Sequence, residues 1–525
     1  MTTIIKPPCG ASSRRTVLAG GAATVSLAAS GLGLSPKPAR AQQARGGAVR
    51  VAIGHGSTSD TLDPAVLENG YMHGMAYGIN GYLTGFGKDG SIEPELAESW
   101  EASPDAKEWR FKLRSGVTFH DGSPVTPENV VASINYHRGE DSTSAAKPLV
   151  ESITDITVDG DTIVFALEAG NADFPATFTD YHLPILPLGD SRGIDWRSAI
   201  GCGPYRLIEF NPGVSARLER FQDDWNSERG FFDQIEALCI VDVNARTTAL
   251  ISGDVHAIDK LDLKTIGLLQ RDPAVNIHSV AGYQHFTFAM ACNRDPYTDV
   301  NVRRALKHAI NRQELVDKIL FGYGSIGNDH PIGQGQRFYN ADLPQTTYDP
   351  DKAKFYLKEA GLDSLSVELA AADAAFAGAV DAAVLFQNSA AAAGIDLKVK
   401  RTPNDGYWSD VWMTHPFCAV YWGGRPVEDA MLTLAYSSGA AWNDTFWENE
   451  RFNELLVAAR AELDEAKRRE MYYEMQAILN DDGGTIIPMF ANYVFATGPD
   501  IATGDGFSSH WDMDGWRWME RWSFA

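Results

Sequence analysis

The sequence predicts a mixed α/β protein built from more than one domain. Stretches of period-two alternation and stretches of helical periodicity follow each other along most of its length. Its 525 residues exceed what one hydrophobic core holds, even with an N-terminal leader set aside. Beyond that leader, no apolar run approaches the roughly 20 residues of a membrane-spanning helix.

Residues 1–41 read as that leader. Arg14 and Arg15 precede an Ala/Gly-rich apolar run, and Ala39-Arg40-Ala41 provides a small-x-small cleavage site. Ser13-Arg14-Arg15-Thr16-Val17-Leu18 fits the twin-arginine pattern. The expectation is cleavage after Ala41 and release of an already folded protein into a bacterial periplasm. Cys9 lies ahead of the arginines, so no lipid-attachment site follows the apolar run.

The first strand is expected in "AVRVAIGH", from Ala48. "EWRFKLRSGVTF" sets Trp109, Phe111 and Leu113 against Arg110, Lys112 and Arg114, the alternation of a half-buried strand. In "HDGSPVTPENVVASINYH", Asp121-Gly122 turns the chain, Thr126 caps a helix and Pro127 occupies its first position. "ITDITVDGDTIVFAL" reads as a hairpin around Asp159-Gly160.

Further on, Val302, Leu306, Ala309, Ile310, Leu315 and Ile319 form one apolar stripe, predicting a single helix that stops at Gly322. Asp349 and Pro350 open another helix that Gly361 closes. "DAAVLFQNSAAAAGIDLKVK" is a helix, a glycine stop and a strand. "NERFNELLVAARAELDEAKRREMYYEMQAILNDDGG" is a helical pair broken near Asp464, and "TIIPMFANYVFA" is a late strand.

Composition excludes several functions. Loss of residues 1–41 removes five of the 45 basic residues and none of the 69 acidic ones, leaving 40 against 69, a formal charge of −29. So acidic a surface repels nucleic acids and anionic membranes. Cys202, Cys239, Cys292 and Cys418 show no C-x-x-C spacing, which argues against zinc and thioredoxin-like chemistry, and their pairing stays open. No H-E-x-x-H, phosphate-binding loop or nucleophile elbow is present: "GYGSIG" puts Tyr323 where the elbow needs glycine. No cofactor, metal or catalytic residue is expected, and the protein is not read as an enzyme.

The segment "IEPELAESWEASPDAKEWRFKLRSGVTFHDGSPVTPENVVASI" closely resembles the hallmark of the family 5 extracellular solute-binding proteins, the dipeptide-, oligopeptide- and nickel-type receptors of ABC importers. "GCGPYRLIEFNPG", "LERFQDDWN", "NRDPYTDVNVRRALKHAINRQELV", "YDPDKAKFYLKEAGL" and "AGIDLKV" resemble further blocks in the family's order, so the likeness covers Ala48 to about Pro499. It implies a bilobed periplasmic-binding-protein fold: lobe I at 47–87, 200–281 and 490–525, an extra domain at 88–199, and lobe II at 282–489. Two hinge crossings fall near 281 and 489. It also implies a monomer that closes over one small-molecule ligand and docks on an inner-membrane ABC permease. A signalling or chaperone-like module that borrowed the fold is the alternative.

In the family's peptide receptors, an acid shortly after a lobe II tryptophan holds the ligand's ammonium. Here the run reads Trp422-Gly423-Gly424-Arg425. In register, the resemblance puts Arg425 at the acid's place, where its donor fork suits a carboxylate, phosphate or sulfate. With a register slip, Glu428 or Asp429 would bind an amine instead. The ligand is accordingly read as a peptide, opine-like or other carboxylate-bearing solute. Tyr421, Trp422 and Trp442 are candidate walls, with Tyr407, Trp408 and Trp412 upstream. From lobe I, "LENGYMHG" resembles a ligand-contacting loop, which makes Asn69, Gly70 and Tyr71 candidates and His73 a weaker one.

Overall fold

A computed structural model describes residues 44–189, 193–425 and 427–525; the predicted leader and its cleavage site lie outside the described residues. An 11-stranded mixed sheet organises them. From one edge its strands run Ile395–Arg401, Leu365–Ala371, Phe417–Trp422, Asn276–Met290, Thr485–Thr497, Ala257–Ile258, Ala48–Ile53, Gln234–Cys239, Ser215–Arg220 and Tyr205–Asn211. Gly324–Ile326 adds to Thr485–Thr497 from the side.

The two long central strands, Asn276–Met290 and Thr485–Thr497, pair antiparallel through most of their length. Their ladder shifts register between Ala281 and His285. On one side of this break lie cores centred on residues such as Val49, Tyr71, Phe232, Phe495 and Trp522. On the other lie cores built on Phe288, Leu306, Phe386, Trp422 and Tyr472.

A separate four-stranded sheet, Ala97–Ala102, Glu108–Leu113, Thr162–Leu167 and Ile153–Asp159 in that order, encloses its own aromatic core of Phe111, Phe165, Phe174 and Phe178. The alternation of Glu108–Leu113 buries Trp109, Phe111 and Leu113 as expected. The hairpin turns through Gly160 at φ 66°, a conformation that favours glycine. The helix Pro127–Asn135 carries a capping box between Thr126 and Asn129.

One expectation fails. The stripe from Val302 to Ile319 is two helices, Val300–His308 and Arg312–Ile319. Asn311 interrupts it by accepting a bond from the Glu314 amide at 3.3 Å, which caps the second helix. The four cysteines within the described residues are free thiols.

The C-terminal tail is part of the core. Trp516, Trp518 and Trp522 are buried against the helix Gly70–Ile79 and the strand Thr485–Thr497. Glycine is required at position 70, because a β-carbon there would meet the Trp516 indole at 2.1 Å.

Candidate functional site

The site grows from the C-terminal end of the strand Phe417–Trp422, where crevices in α/β sheets receive ligands. Along this strand Tyr421 pairs with Phe286 and Trp422 with His285, next to the register break. The chain then leaves the sheet through two glycines. Gly424 lies so close to Tyr283 that an added β-carbon would meet that residue's own at 2.6 Å. Close approach therefore requires glycine there, and it sets Arg425 beside the crossing strand.

Arg425 is half-buried. Its Nη1 donates to the carbonyl oxygens of Gly423 at 3.3 Å and Gly424 at 3.1 Å. Among the described residues it has no ion pair, and its Nε and Nη2 make no hydrogen bond. Burial pushes its pKa below the ordinary arginine value, and the phenols of Tyr181 and Tyr421 oppose that shift. Among the described residues no carboxylate counters its charge. A cation in such surroundings is short of an anion.

The neighbouring acids are committed elsewhere. Glu428 is buried and accepts from the Phe338 amide at 2.8 Å. Asp429 accepts from Arg460 Nε at 3.2 Å, and Arg460 Nη2 also reaches Thr433 at 2.6 Å. Burial raises the pKa of Asp429, and Arg460 works against the rise.

Tyr421 and Trp442 are 42% and 46% exposed, whereas Trp422 is 5% exposed and belongs to the core beneath them. Trp408, 39% exposed, meets Tyr421 edge-on with ring centres 5.6 Å apart. Trp412 stands 6.3 Å from Trp442 and 6.4 Å from Trp422. Large exposed rings in one group suit a flat ligand face.

Beneath them sits Asp444, buried, accepting from Trp412 Nε1 at 3.1 Å. Burial lifts its pKa from 3.8 to about 7, against the pull of the Trp412 and Trp422 N–H groups. Folding therefore favours its protonated form, so stability falls as pH rises from 3.8 towards 7 and stays reduced above. Asp444→Asn is expected to raise the melting temperature at pH 8 and to change it little at pH 4. An equal shift at both pH values would show that the acid is not buried neutral.

Asn69, Gly70 and Tyr71 lie at the start of the helix Gly70–Ile79. Asn69 caps the helix Gly70–Ile79, accepting from the Met72 amide at 3.1 Å, and donates to Asp60 at 2.6 Å. It also lines a cleft of ≈ 380 Å³ with His55, Ser57 and Asp60. Gly70 and Tyr71 are core residues: Gly70 packs on Trp516, and the Tyr71 hydroxyl donates to the Ala237 carbonyl at 3.4 Å. Every residue of this helix is buried. The ring of His73, on the same helix, stacks on Tyr181 with centres 3.7 Å apart. Among the described residues, no group of three His, Cys, Asp or Glu side chains could hold a metal ion.

Comparison with known proteins gives one consistent result. The family described as "Bacterial extracellular solute-binding proteins, family 5 Middle" matches residues 91–444. The dipeptide-binding protein of Escherichia coli K12 is 26% identical over 441 residues, covering 75% of this chain and 80% of its own. The structure of HbpA2 from Haemophilus parasuis superposes with a TM-score of 0.81 at 20% identity, over 91% of this chain and 100% of that one. That of AgaA from Agrobacterium tumefaciens R10, solved with agropinic acid, gives 0.71 at 23% identity over 91% and 99%. The fold is thus the bilobed α/β fold of periplasmic binding proteins.

Proposed function

Since the chain belongs to the family 5 bacterial extracellular solute-binding proteins, the non-enzymatic receptors that serve ABC transport of peptides and related ligands, we propose that it captures a small solute through an oxyanion gripped by Arg425. The observation that carries this reading is the half-buried guanidinium without an acid partner among the described residues. Asp429 is passed over as an amine anchor because Arg460 already neutralises it. The solute's body lies on Tyr421 and Trp442. A carboxylate-bearing peptide or opine-like compound meets both demands, and a related receptor was solved with agropinic acid.

Capture works by closure. Lobe I is assigned to 47–87, 200–281 and 490–525, the extra domain to 88–199 and lobe II to 282–489, with hinges near 281 and 489. The register shift between Ala281 and His285 favours bending there, since a broken ladder has fewer hydrogen bonds to strain. The closed monomer then delivers its solute to an ABC permease.

The test is to recover the solute that co-purifies with the mature protein by mass spectrometry and return it to solute-free protein. One molecule should bind per chain, and X-ray scattering should show the protein contract. Binding with an unchanged radius of gyration would contradict closure.

Delivery to the periplasm is assigned to the twin-arginine route, with cleavage after Ala41. Replacing Arg14 and Arg15 with Lys should hold the precursor in the cytoplasm, and N-terminal sequencing of exported protein should begin at Gln42. Undiminished export of the Lys variant would contradict the route.

A further inference from the structure

One small contact joins two parts of the chain that the closure reading sets on opposite sides of the crevice. Among the described residues, the hydrogen bonds between the 88–199 region and residues 282–489 all end on Ala172 and Asp173. Asp173 is buried and meets the Arg468 guanidinium through two parallel bonds, 2.9 and 2.5 Å long. Arg337 adds a third at 2.8 Å, and the Ala172 amide donates to the Arg460 carbonyl at 2.7 Å. The apolar cores on the two sides share no residue.

Each half of the contact is built on its own side. Phe174 and Phe178 anchor the segment that carries Asp173 in the small four-stranded core, and the Asn171 carbonyl accepts from Trp109 Nε1 at 3.1 Å. Opposite it, the buried Phe338 ring forms a floor. It stacks on Tyr472 with centres 4.8 Å apart, and the guanidinium groups of Arg337 and Arg468 lie 4.3 and 5.2 Å from its centre. Arg468 Nε also donates to the Ala459 carbonyl at 3.0 Å, which fixes the direction of its fork. The two cations are thus held ready for a carboxylate.

The socket is tied to the turn that carries Arg425. Glu428 and Asp429 open the helix Glu428–Tyr436 just after that turn. Glu428 accepts from the Phe338 amide at 2.8 Å, and Asp429 accepts from Arg460 Nε at 3.2 Å. The Arg425 turn and the socket therefore share one frame.

We propose that Asp173 is a latch that holds the crevice shut: it plugs into the socket of Arg468 and Arg337 on closure and leaves it on opening. Such a contact can part and re-form, because separation exposes ionised groups that water solvates, whereas splitting a shared apolar core would expose hydrocarbon. The parts of the socket are fixed by the protein's own packing, so the latch engages in the empty receptor as well.

This inference rests on the closure reading, and the test separates the two. X-ray scattering and thermal unfolding are measured on the solute-free mature protein as wild type, Asp173→Asn, Asp173→Lys, Arg468→Glu and the double variant Asp173→Lys/Arg468→Glu. Asp173→Lys puts a third cation beside Arg468 and Arg337, and Arg468→Glu sets two carboxylates face to face. Each single variant should have a larger radius of gyration than wild type, least so in Asp173→Asn. The melting temperature of Asp173→Lys should hardly change, because the parted charges are hydrated. The double variant, with the pair reversed, should return towards the wild-type radius. A double variant as large as the single ones overturns the pairing of residues 173 and 468, and the latch with it. An unchanged radius and an unchanged melting temperature in Asp173→Lys overturn the latch alone. An unchanged radius with a clearly lowered melting temperature shows a fixed contact inside one rigid body, and overturns latch and closure together.

Discussion

Arg517→Met should lower the stability of the folded protein by about 3–5 kcal/mol at neutral pH, the usual cost of leaving buried charges without their partner. Arg517 is 8% exposed and bridges Glu95 and Glu520, themselves 8% and 3% exposed. Arg229 completes the group, meeting Glu520 at 3.1 Å and Asp224 at 2.8 Å. The cluster ties the C-terminal tail to the 88–199 region, so its loss weakens a junction between two cores.

The pH dependence gives this prediction its signature. Burial would raise the pKa of Glu520, but Arg517, Arg229 and Arg521 together hold it below the ordinary 4.5. A carboxylate held low stabilises the fold above its unfolded pKa, and that contribution disappears as pH falls through the folded value. In Arg517→Met, Glu520 can instead take up a proton as the pH falls. The gap between variant and wild type should therefore be widest near pH 7 and narrow towards pH 4. Calorimetry across that range checks it. A deficit under about 0.5 kcal/mol, typical of a surface substitution, would contradict the account.

The second large effect concerns binding. Arg425→Ala should weaken affinity for the recovered solute about ten- to a hundredfold, since a desolvated charge-assisted pair contributes about 1.5–3 kcal/mol. The melting temperature of the solute-free protein should hardly change, because among the described residues Arg425 bonds only the carbonyls of its own turn. Arg425→Lys should recover only part of the affinity, as an ammonium lacks the planar fork. Unchanged affinity in Arg425→Ala, with binding abolished by Asp429→Asn, would move the anchor to Asp429.

Much of this architecture can be read from local sequence. The Asp159-Gly160 turn, the Thr126 and Asp349 caps and the Gly361 and Gly394 stops are each set by chemistry within a few residues, and the fold keeps them. The break at Asn311 was also written locally, as an Asn followed three residues later by Glu314, but the apolar stripe masked it. Residues 70–79, "GYMHGMAYGI", carry no ionised group and are apolar nearly all round, the mark of a buried helix.

The candidate site was legible only on one side. Trp422, Gly423, Gly424 and Arg425 lie together in sequence. Tyr283 and Asp444 reach the same region from separate segments, through long-range packing and a strand crossing that no local spacing encodes. Likewise, Asp173 looks like any surface acid until Arg468, 295 residues away, closes on it.

The most direct test of the central claim is a four-way titration. Wild type and Arg425→Ala are each titrated with the recovered solute and with its methyl ester or amide, in which the acid group is neutral. If Arg425 grips that oxyanion, blocking the acid weakens wild type by about the same factor as the substitution does and costs the Ala variant almost nothing further. If the two losses simply add, Arg425 and the acid do not meet, and the oxyanion account of this receptor is wrong.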